Sequence, residues 1–242
     1  MLAASPGHVV IVGLGPSCEA WPDLAKRVGG ASAFCDEVWG INAIGDVLRC
    51  DRIIHMDDVR IQEIRAESRP ESNIANMLKW MKVHPGPIYT SRVHPDYPGL
   101  VEYPLIDVLN SCGGVAYLNN TGAAAIALAI HLGVKQITCF GMDYTYADAH
   151  SSEKGRACTE FYLGIAKARG IEIGLPSGTS LMDSCVGEQR RLYGYDTLNL
   201  DITTDESGRL AISSTPRETL PTAEEIESAY DHSKHPNVLV KE

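Results

Sequence analysis

Short apolar runs alternate with longer stretches of helical spacing through most of the chain. The runs HVVIV, DEVWGI, DRII, KQITCF and IEIG are largely apolar and rich in β-branched residues, which is typical of buried strands. Between them, SNIANMLKWMK carries apolar residues at 74, 77, 78 and 81, and NNTGAAAIALAIHLG is apolar nearly all round. SSEKGRACTEFYLGIAKARG is a long helical stretch that ends at a glycine typical of C-caps. Strands that alternate with helices predict an α/β fold with a doubly wound, mostly parallel sheet.

Two parts of the chain depart from this alternation. The span 85–104 holds too many prolines for a central strand, so we expect a surface excursion that contains one short strand, PIYTS. From about residue 187 the sequence predicts a small hairpin that closes on Ser207-Gly208, and a short capped helix in TAEEIESAYDH. We therefore divide the chain into a domain over 1–186 and an appendage over 187–242. The appendage either covers the site or pairs subunits in a homo-oligomer, and a loosely packed tail is the other interpretation.

Composition and charge narrow the class of protein. With 242 residues and 44% hydrophobic content, the chain is long enough for one sizeable domain plus the appendage. A formal charge of −10 argues against a broad nucleic-acid surface. Seven scattered cysteines without a CxxC pair indicate free thiols in a reducing compartment, and the longest apolar run, 123–132, is too short for a membrane span. These features predict a cytoplasmic protein that does not insert into membranes.

The turn that follows the first strand, GLGPS, is the first candidate for chemistry. In an open parallel sheet, ligands bind at the carboxyl ends of the strands, where a turn and a helix N-terminus can hold an anion. Gly13 and Gly15 let the backbone approach a ligand, and Pro16 suits the first position of a helix. However, Cys18 replaces the third glycine of the dinucleotide fingerprint, and the lysine of a P-loop is missing. A phosphate site and an ordinary bend both fit this turn.

Polar residues and glycines also follow the other predicted strands, where they would meet at one edge of the sheet. These further candidates are Asn42, Asp57, Asp58, Asn119, Asn120, Thr121, Gly122, Gly141, Asp143, Tyr144, Tyr146 and His150. Several have a purely structural interpretation: Asn42 can bond a neighbouring loop, Thr121 can cap a helix, and the two aspartates can cap the next one.

Four blocks of the sequence resemble two related protein groups in the same order. The blocks are VIVGLGPS, GINAIGDVLRCDRIIHMDD, NNTGAAAIALAIHLGVKQITCFGMDY and AHSSEKGRACTEFYLGIAKARGIEIGLPSGTSLM. One group is the bacterial CMP-sialic-acid-dependent sialyltransferases, and the other is the 6-hydroxymethylpterin pyrophosphokinase-like proteins of archaea and phages. The resemblance covers residues 8 to 185 and implies a Rossmann-like, sialyltransferase-like transferase of bacterial or phage type.

The resemblance also implies roles for individual residues. Asn42 resembles an asparagine that contacts the nucleotide, Asp57 stands where the sialyltransferases have a donor-binding asparagine, and Thr121-Gly122 matches their Ser-Gly at a helix start. Tyr144 and Tyr146 would support the departing phosphate, and His150 would be the general base. The implied nucleotide-binding set is Gly13, Gly15, Pro16, Ser17, Asn42, Asp57, Asp58, Asn120, Thr121, Gly122, Gly141 and Asp143.

Three hypotheses for function follow. The first is an inverting glycosyltransferase with a nucleotide-sugar donor and an unknown acceptor, in which the His150 imidazole takes the proton of the attacking hydroxyl. The second is a Mg²⁺-dependent pyrophosphokinase or nucleotidyl transferase, because the adjacent carboxylates of Asp57 and Asp58 would repel a phosphate unless Mg²⁺ lay between them. The third is a nucleotide-binding module without catalysis.

Overall fold

Seven parallel strands form the central sheet of this computed structural model, which describes residues 5–145, 148–185, 192, 195 and 198–228. The order across the sheet is β5-β4-β3-β2-β1-β6-β7, and every neighbouring pair is parallel. The strands are β1 His8–Val12, β2 Glu37–Ile41, β3 Arg52–Ile54, β4 Ile88–Thr90, β5 Leu100–Glu102, β6 Gln136–Phe140 and β7 Glu172–Gly174. The predicted α/β fold with a doubly wound parallel sheet is confirmed.

Helices cover both faces of the sheet. They are α1 Ala20–Val28, α2 Ile44–Val47, α3 Val59–Ser68, α4 Asn73–Met81, α5 Leu105–Ser111, α6 Thr121–His131 and α7 Ala149–Ala168. Alternate residues of β1 point to opposite sides, because side chains of a strand alternate between its two faces. Val9 and Ile11 pack with α6, whereas Val10 and Val12 pack with Trp21 of α1. Helix α6 is buried along nearly its whole length between the sheet, α5 and α7, as its apolar sequence predicts.

The proline-rich span 85–104 belongs to the central sheet rather than to a surface excursion, and the short strand predicted within it, PIYTS, appears as β4. It supplies two strands, β4 and β5, which extend the sheet beyond β3. Its prolines lie outside these strands: Pro87 precedes β4, and Pro104 is the N-cap residue of α5. The prolines therefore flank these short strands and do not interrupt their pairing, which is a position that proline tolerates.

The chain divides into two compact units, Met1–Cys185 and Val186–Glu242. In the second unit, strands β8 Leu198–Thr204 and β9 Leu210–Pro216 form an antiparallel hairpin, and helix α8 spans Ala223–Ser228. Thr222 and Glu225 bond each other's backbone N–H groups, which makes a reciprocal capping box at the start of α8. In the described part of the chain, no helix combines the length and the apolar character needed to cross a membrane.

Candidate functional site

A cleft of about 380 Å³ opens where the strand order of the sheet reverses. The chain runs from β1 outward to β5 and then returns to place β6 on the other side of β1. The loops after β1 and β6 thus border a crevice at the carboxyl ends of the strands, which is the general position of ligand sites in such sheets. The cleft is lined by Gly13, Leu14, Gly15, Pro16, Ile41, Asn42, Asn120, Thr121, Gly122, Gly141, Met142, Asp143, Tyr144 and Thr145.

Most of the predicted site residues meet in this cleft, although they come from distant parts of the sequence. The predicted residues that line it are Gly13, Gly15, Pro16, Asn42, Asn120, Thr121, Gly122, Gly141, Asp143 and Tyr144. The candidates that do not line it are Ser17, Asp57, Asp58, Asn119 and His150. Tyr146 lies outside the described residues.

The two glycine turns at the back of the cleft touch each other through their backbones. The N–H groups of Gly13 and Gly15 donate to the carbonyl oxygens of Phe140 and Gly141, both at 2.8 Å. A Cβ atom at Gly13 would lie 2.4 Å from the Gly141 oxygen, and one at Gly141 would lie 2.3 Å from the Gly13 oxygen. Both glycines are therefore required by this close approach. Because these N–H groups are already bonded, contact of the first turn with a phosphate stays a prediction.

Ser17 lies behind the cleft, where it holds Asp143. The Asp143 carboxylate accepts the Ser17 N–H at 2.6 Å and the Ser17 hydroxyl at 2.5 Å, while the Ser17 Oγ accepts the Gly141 N–H at 2.8 Å. Asp143 is only 3% exposed. The helical turn that begins at Pro16 thus binds an anion from its own protein, because a carboxylate is stabilised by N–H groups at a helix start.

Two further side chains support the loop after β6, which forms the wall of the cleft around Asp143. Neither was predicted from the sequence. The Thr179 hydroxyl donates to the Met142 carbonyl at 3.0 Å, and the Ser180 hydroxyl donates to the Asp143 carbonyl at 2.6 Å. Thr179 is 1% exposed, so its hydroxyl is committed to this bond. Both residues follow β7 in a loop whose sequence, PSGTS, resembles any turn, and no pattern in it indicates contact with the loop after β6.

The opposite wall is a hydrogen-bond network around Asn120. Asn120 caps α6 by accepting the Ala123 N–H at 2.9 Å, and its amide NH₂ donates to the Gly155 carbonyl at 3.0 Å. Its Oδ1 also accepts the Tyr144 hydroxyl at 3.1 Å, and that hydroxyl bonds Thr159, which is fully buried. The Tyr144 hydroxyl is therefore engaged within the protein. Asn120 rather than Thr121 is the cap of α6, and Thr121 is the first helical residue.

Asn42 closes the β2 side of the cleft. Its backbone is left-handed, with φ at 53°, and its N–H donates to the Ile54 carbonyl at 3.0 Å. Its side-chain Oδ1 lies 3.0 Å from Nδ1 of His55, a residue that is 1% exposed and directly follows β3. Burial lowers the pKa of His55, and the nearby charge of Asp57 opposes that shift.

The two aspartates after β3 have positions outside the cleft. The Asp58 carboxylate accepts the Arg60 N–H at 2.9 Å and caps α3, while Asp57 is exposed. Within the described residues, no group of three or more His, Cys, Asp or Glu side chains is arranged to hold a metal ion. Asp58 thus acts as a helix cap, and a Mg²⁺ site formed by Asp57 and Asp58 stays a prediction.

His150 is exposed in the first turn of α7, which Asp148 caps. The Asp148 carboxylate accepts the His150 N–H at 3.2 Å and the Ser151 hydroxyl at 2.5 Å. These bonds lower the pKa of Asp148, with the Ser151 hydroxyl making the largest contribution. The role of His150 as a base stays a prediction, because its side chain does not line the cleft.

Comparison with known proteins gives a distant likeness in structure. No protein-family model matches the chain, and no curated protein matches its sequence. Among solved structures, the chain is similar to an alpha-2,3/8-sialyltransferase, CstII, with 14% identity and a TM-score of 0.44 over 92% of this chain and 100% of that chain. A similarity this distant does not bear on activity.

Proposed function

We propose that the chain is a nucleotide-sugar-dependent glycosyltransferase that binds its donor in the cleft between the β1 and β6 loops. The observation that carries the proposal is the convergence of polar groups from four separate loops on the switch point of a parallel sheet. The choice of a glycosyl donor rests on the four ordered sequence blocks that resemble the sialyltransferases.

The size and lining of the cleft suit a nucleotide. Its volume of about 380 Å³ falls within the range of small-molecule sites. Leu14, Ile41 and Met142 offer apolar surface for a base or sugar, and Asn42 and Thr121 offer polar groups for ribose or phosphate oxygens. An apolar pocket with a few placed polar groups is the usual composition of such sites.

The proposed reaction is a single displacement with inversion at the anomeric carbon. The acceptor hydroxyl attacks that carbon, His150 takes the hydroxyl proton, and the bond to the nucleotide phosphate breaks with its electrons on the phosphate oxygen. Tyr144 and Tyr146 are the proposed supports of the leaving phosphate. The Tyr144 hydroxyl is bonded to Asn120 and Thr159. To contact the phosphate, it must give up one of these two bonds.

A thermal-shift screen with CMP, UDP, GDP and ATP tests the binding step. A ligand at 100 times its Kd stabilises the folded state by about 2.7 kcal/mol, so the bound nucleotide should raise the melting temperature by several degrees. Asn42→Gly is the matched variant, because glycine accepts the left-handed backbone at this position and removes only the amide. We expect CMP to stabilise the parent and to stabilise Asn42→Gly less. Absence of a shift with all four nucleotides contradicts the proposal.

His150→Ala tests the catalytic step. The variant should bind CMP as the parent does and melt near the parent temperature, because the Asp148 cap bonds the backbone of residue 150 and remains. Loss of a general base lowers turnover by about 10²- to 10⁴-fold. If the turnover of His150→Ala stayed within a few-fold of the parent, His150 would not be the general base. Activity that EDTA abolishes would favour the magnesium-dependent alternative, and binding without turnover would favour the non-catalytic one.

A further inference from the structure

His55 is a buried polar side chain that contacts the cleft only through another residue. It follows β3, its N–H donates to the Tyr89 carbonyl at 2.8 Å, and its side chain does not line the cleft. Nδ1 lies 3.0 Å from the Asn42 Oδ1, whereas Nε2 is buried and has no hydrogen-bond partner in the described part of the chain. The imidazole therefore stands directly behind Asn42.

The contact fits one tautomer of His55, in which the proton is on Nδ1. Burial disfavours the charged imidazole, so the ring carries one N–H. Because the Asn42 Oδ1 is an acceptor, that N–H is on Nδ1, and Nε2 keeps its lone pair. A buried acceptor without a partner costs free energy that an apolar side chain at the same position would not incur. The residue is therefore poorly explained by packing alone.

The same contact defines what Asn42 presents to a ligand. With Oδ1 bonded to His55 and the backbone N–H bonded to Ile54, the side-chain NH₂ is the donor that Asn42 has left. Asn42 is partly exposed and lines the cleft, and its NH₂ makes no hydrogen bond to another described residue. Without a partner for Oδ1, the amide would rotate freely between two orientations that exchange donor and acceptor.

We propose that His55 is a positioning residue that holds the Asn42 amide with its NH₂ toward the ligand, so that the cleft selects a nucleotide oxygen acceptor at this point. This inference rests on the proposed nucleotide site. It extends that site to a buried residue and assigns the chemistry of one contact: N–H donation from Asn42 to a carbonyl, hydroxyl or phosphate oxygen.

Two substitutions at His55 separate positioning from packing. His55→Asn keeps an N–H donor close to the position of Nδ1, while His55→Leu removes the donor and also removes the unpaired Nε2. By calorimetric titration with CMP, we expect His55→Leu to bind about tenfold more weakly, as loss of a hydrogen bond worth about 1.4 kcal/mol would give. We expect His55→Asn to stay within about threefold of the parent, and both variants to unfold cooperatively.

A double-mutant cycle with Asn42→Gly identifies the route of the effect. If His55 acts through Asn42, then adding His55→Leu to Asn42→Gly should change the CMP affinity no further. Equal CMP affinity of His55→Leu and the parent would overturn the inference, and so would fully additive losses. If His55→Leu does not fold, the parent and Asn42→Gly still allow the comparison below.

A measurement without nucleotide distinguishes failure of this inference from failure of the proposed function. Nitrogen-15 NMR of the imidazole reports which ring nitrogen carries the proton. We expect the Nδ1–H tautomer in the parent and a mixture of tautomers in Asn42→Gly. An Nε2–H tautomer in the parent would overturn the positioning role. If the parent has the expected tautomer but binds none of CMP, UDP, GDP and ATP, the proposed function is wrong and the His55 contact to Asn42 stands.

Discussion

At the residue scale, the sequence indicated where polar groups gather but not what each one does. Gly13, Asn42 and Asp143 were recognisable because each follows an apolar run that ends in a turn. Thr179 and His55 were not recognisable, because their importance comes from distant contacts. Thr179 bonds a residue that is 37 positions away in the chain, and His55 bonds one that is 13 positions away. Such contacts depend on how strands pair, and a single sequence does not encode them as a local pattern.

Gly13→Ala tests the contact between the two glycine turns. A Cβ atom there would lie 2.4 Å from a backbone oxygen, which cannot move aside as the end of a flexible side chain can. We expect a loss of about 1–3 kcal/mol in the free energy of unfolding, measured by urea denaturation. Gly164→Ala in α7 is the control, since a Cβ there meets nothing within 4 Å and alanine favours a helix by about 1 kcal/mol. Equal effects of the two substitutions would contradict this account.

His55 makes a prediction about acid stability. Its pKa is lowered by burial in the folded state, so below about pH 6.5 the unfolded chain binds a proton that the folded chain resists. Stability should therefore fall as the pH falls from 7.5 to 5.5. His55→Asn should show a shallower fall. Burial also lowers the pKa of His84. Because His84 is present in the parent and in His55→Asn, it contributes equally to both and does not affect the comparison. If the free energy of unfolding of the parent and of His55→Asn changed equally with pH across this range, the lowered pKa of His55 would be refuted.

At the element scale, the sequence patterns predict the long helices and most of the short strands, including PIYTS as β4, and they miss β5 and helix α3. Helices α4, α6 and α7 carry clear patterns and appear as predicted. Helix α3 has no apolar face that a pattern search would find, since its buried residues are Val59 and Gln62. Strands β4 and β5 have three residues each and are surrounded by prolines, so their pairing in the sheet gives them their conformation.

The caps of α6 and α4 provide a comparison at this scale. Ser72 caps α4 through one bond to the Ala75 N–H, whereas Asn120 caps α6 and also joins Tyr144, Thr159 and α7. Ser72→Ala should cost about 1 kcal/mol of stability in urea denaturation. Asn120→Ala should cost about 2–3 kcal/mol, because it also removes the bonds of Asn120 to the Tyr144 and Thr159 hydroxyls and to the Gly155 carbonyl. Equal costs would mean that the network adds nothing to the cap.

At the scale of the whole molecule, the hydrophobic core belongs to the first unit. Within the described residues, the clusters of buried apolar side chains are built from residues between Val9 and Leu181. The second unit, Val186–Glu242, has a β9 strand that is exposed along its length. Its function as a cover for the site or as a surface that pairs subunits stays a prediction.

Truncation after Cys185 tests this division. The shortened chain should fold and unfold cooperatively, with a melting temperature within a few degrees of the parent, because it retains every core cluster. Its CMP affinity and its mass in solution then report whether the second unit acts on the site or on assembly. A truncated chain that does not fold would show that the second unit belongs to the core.

The central claim is that the cleft at the β1–β6 switch point binds a nucleotide. Hydrogen-deuterium exchange of the full chain, with and without CMP, tests it most directly because it reports both binding and location. We expect CMP to slow exchange in peptides that contain Gly13–Pro16, Asn42, Thr121–Gly122 and Gly141–Thr145. Peptides from the N-terminal ends of the strands, such as those around Glu37 and Arg52, should exchange at the same rate with and without CMP. Protection confined to other surfaces, or no protection at saturating CMP, would contradict the account.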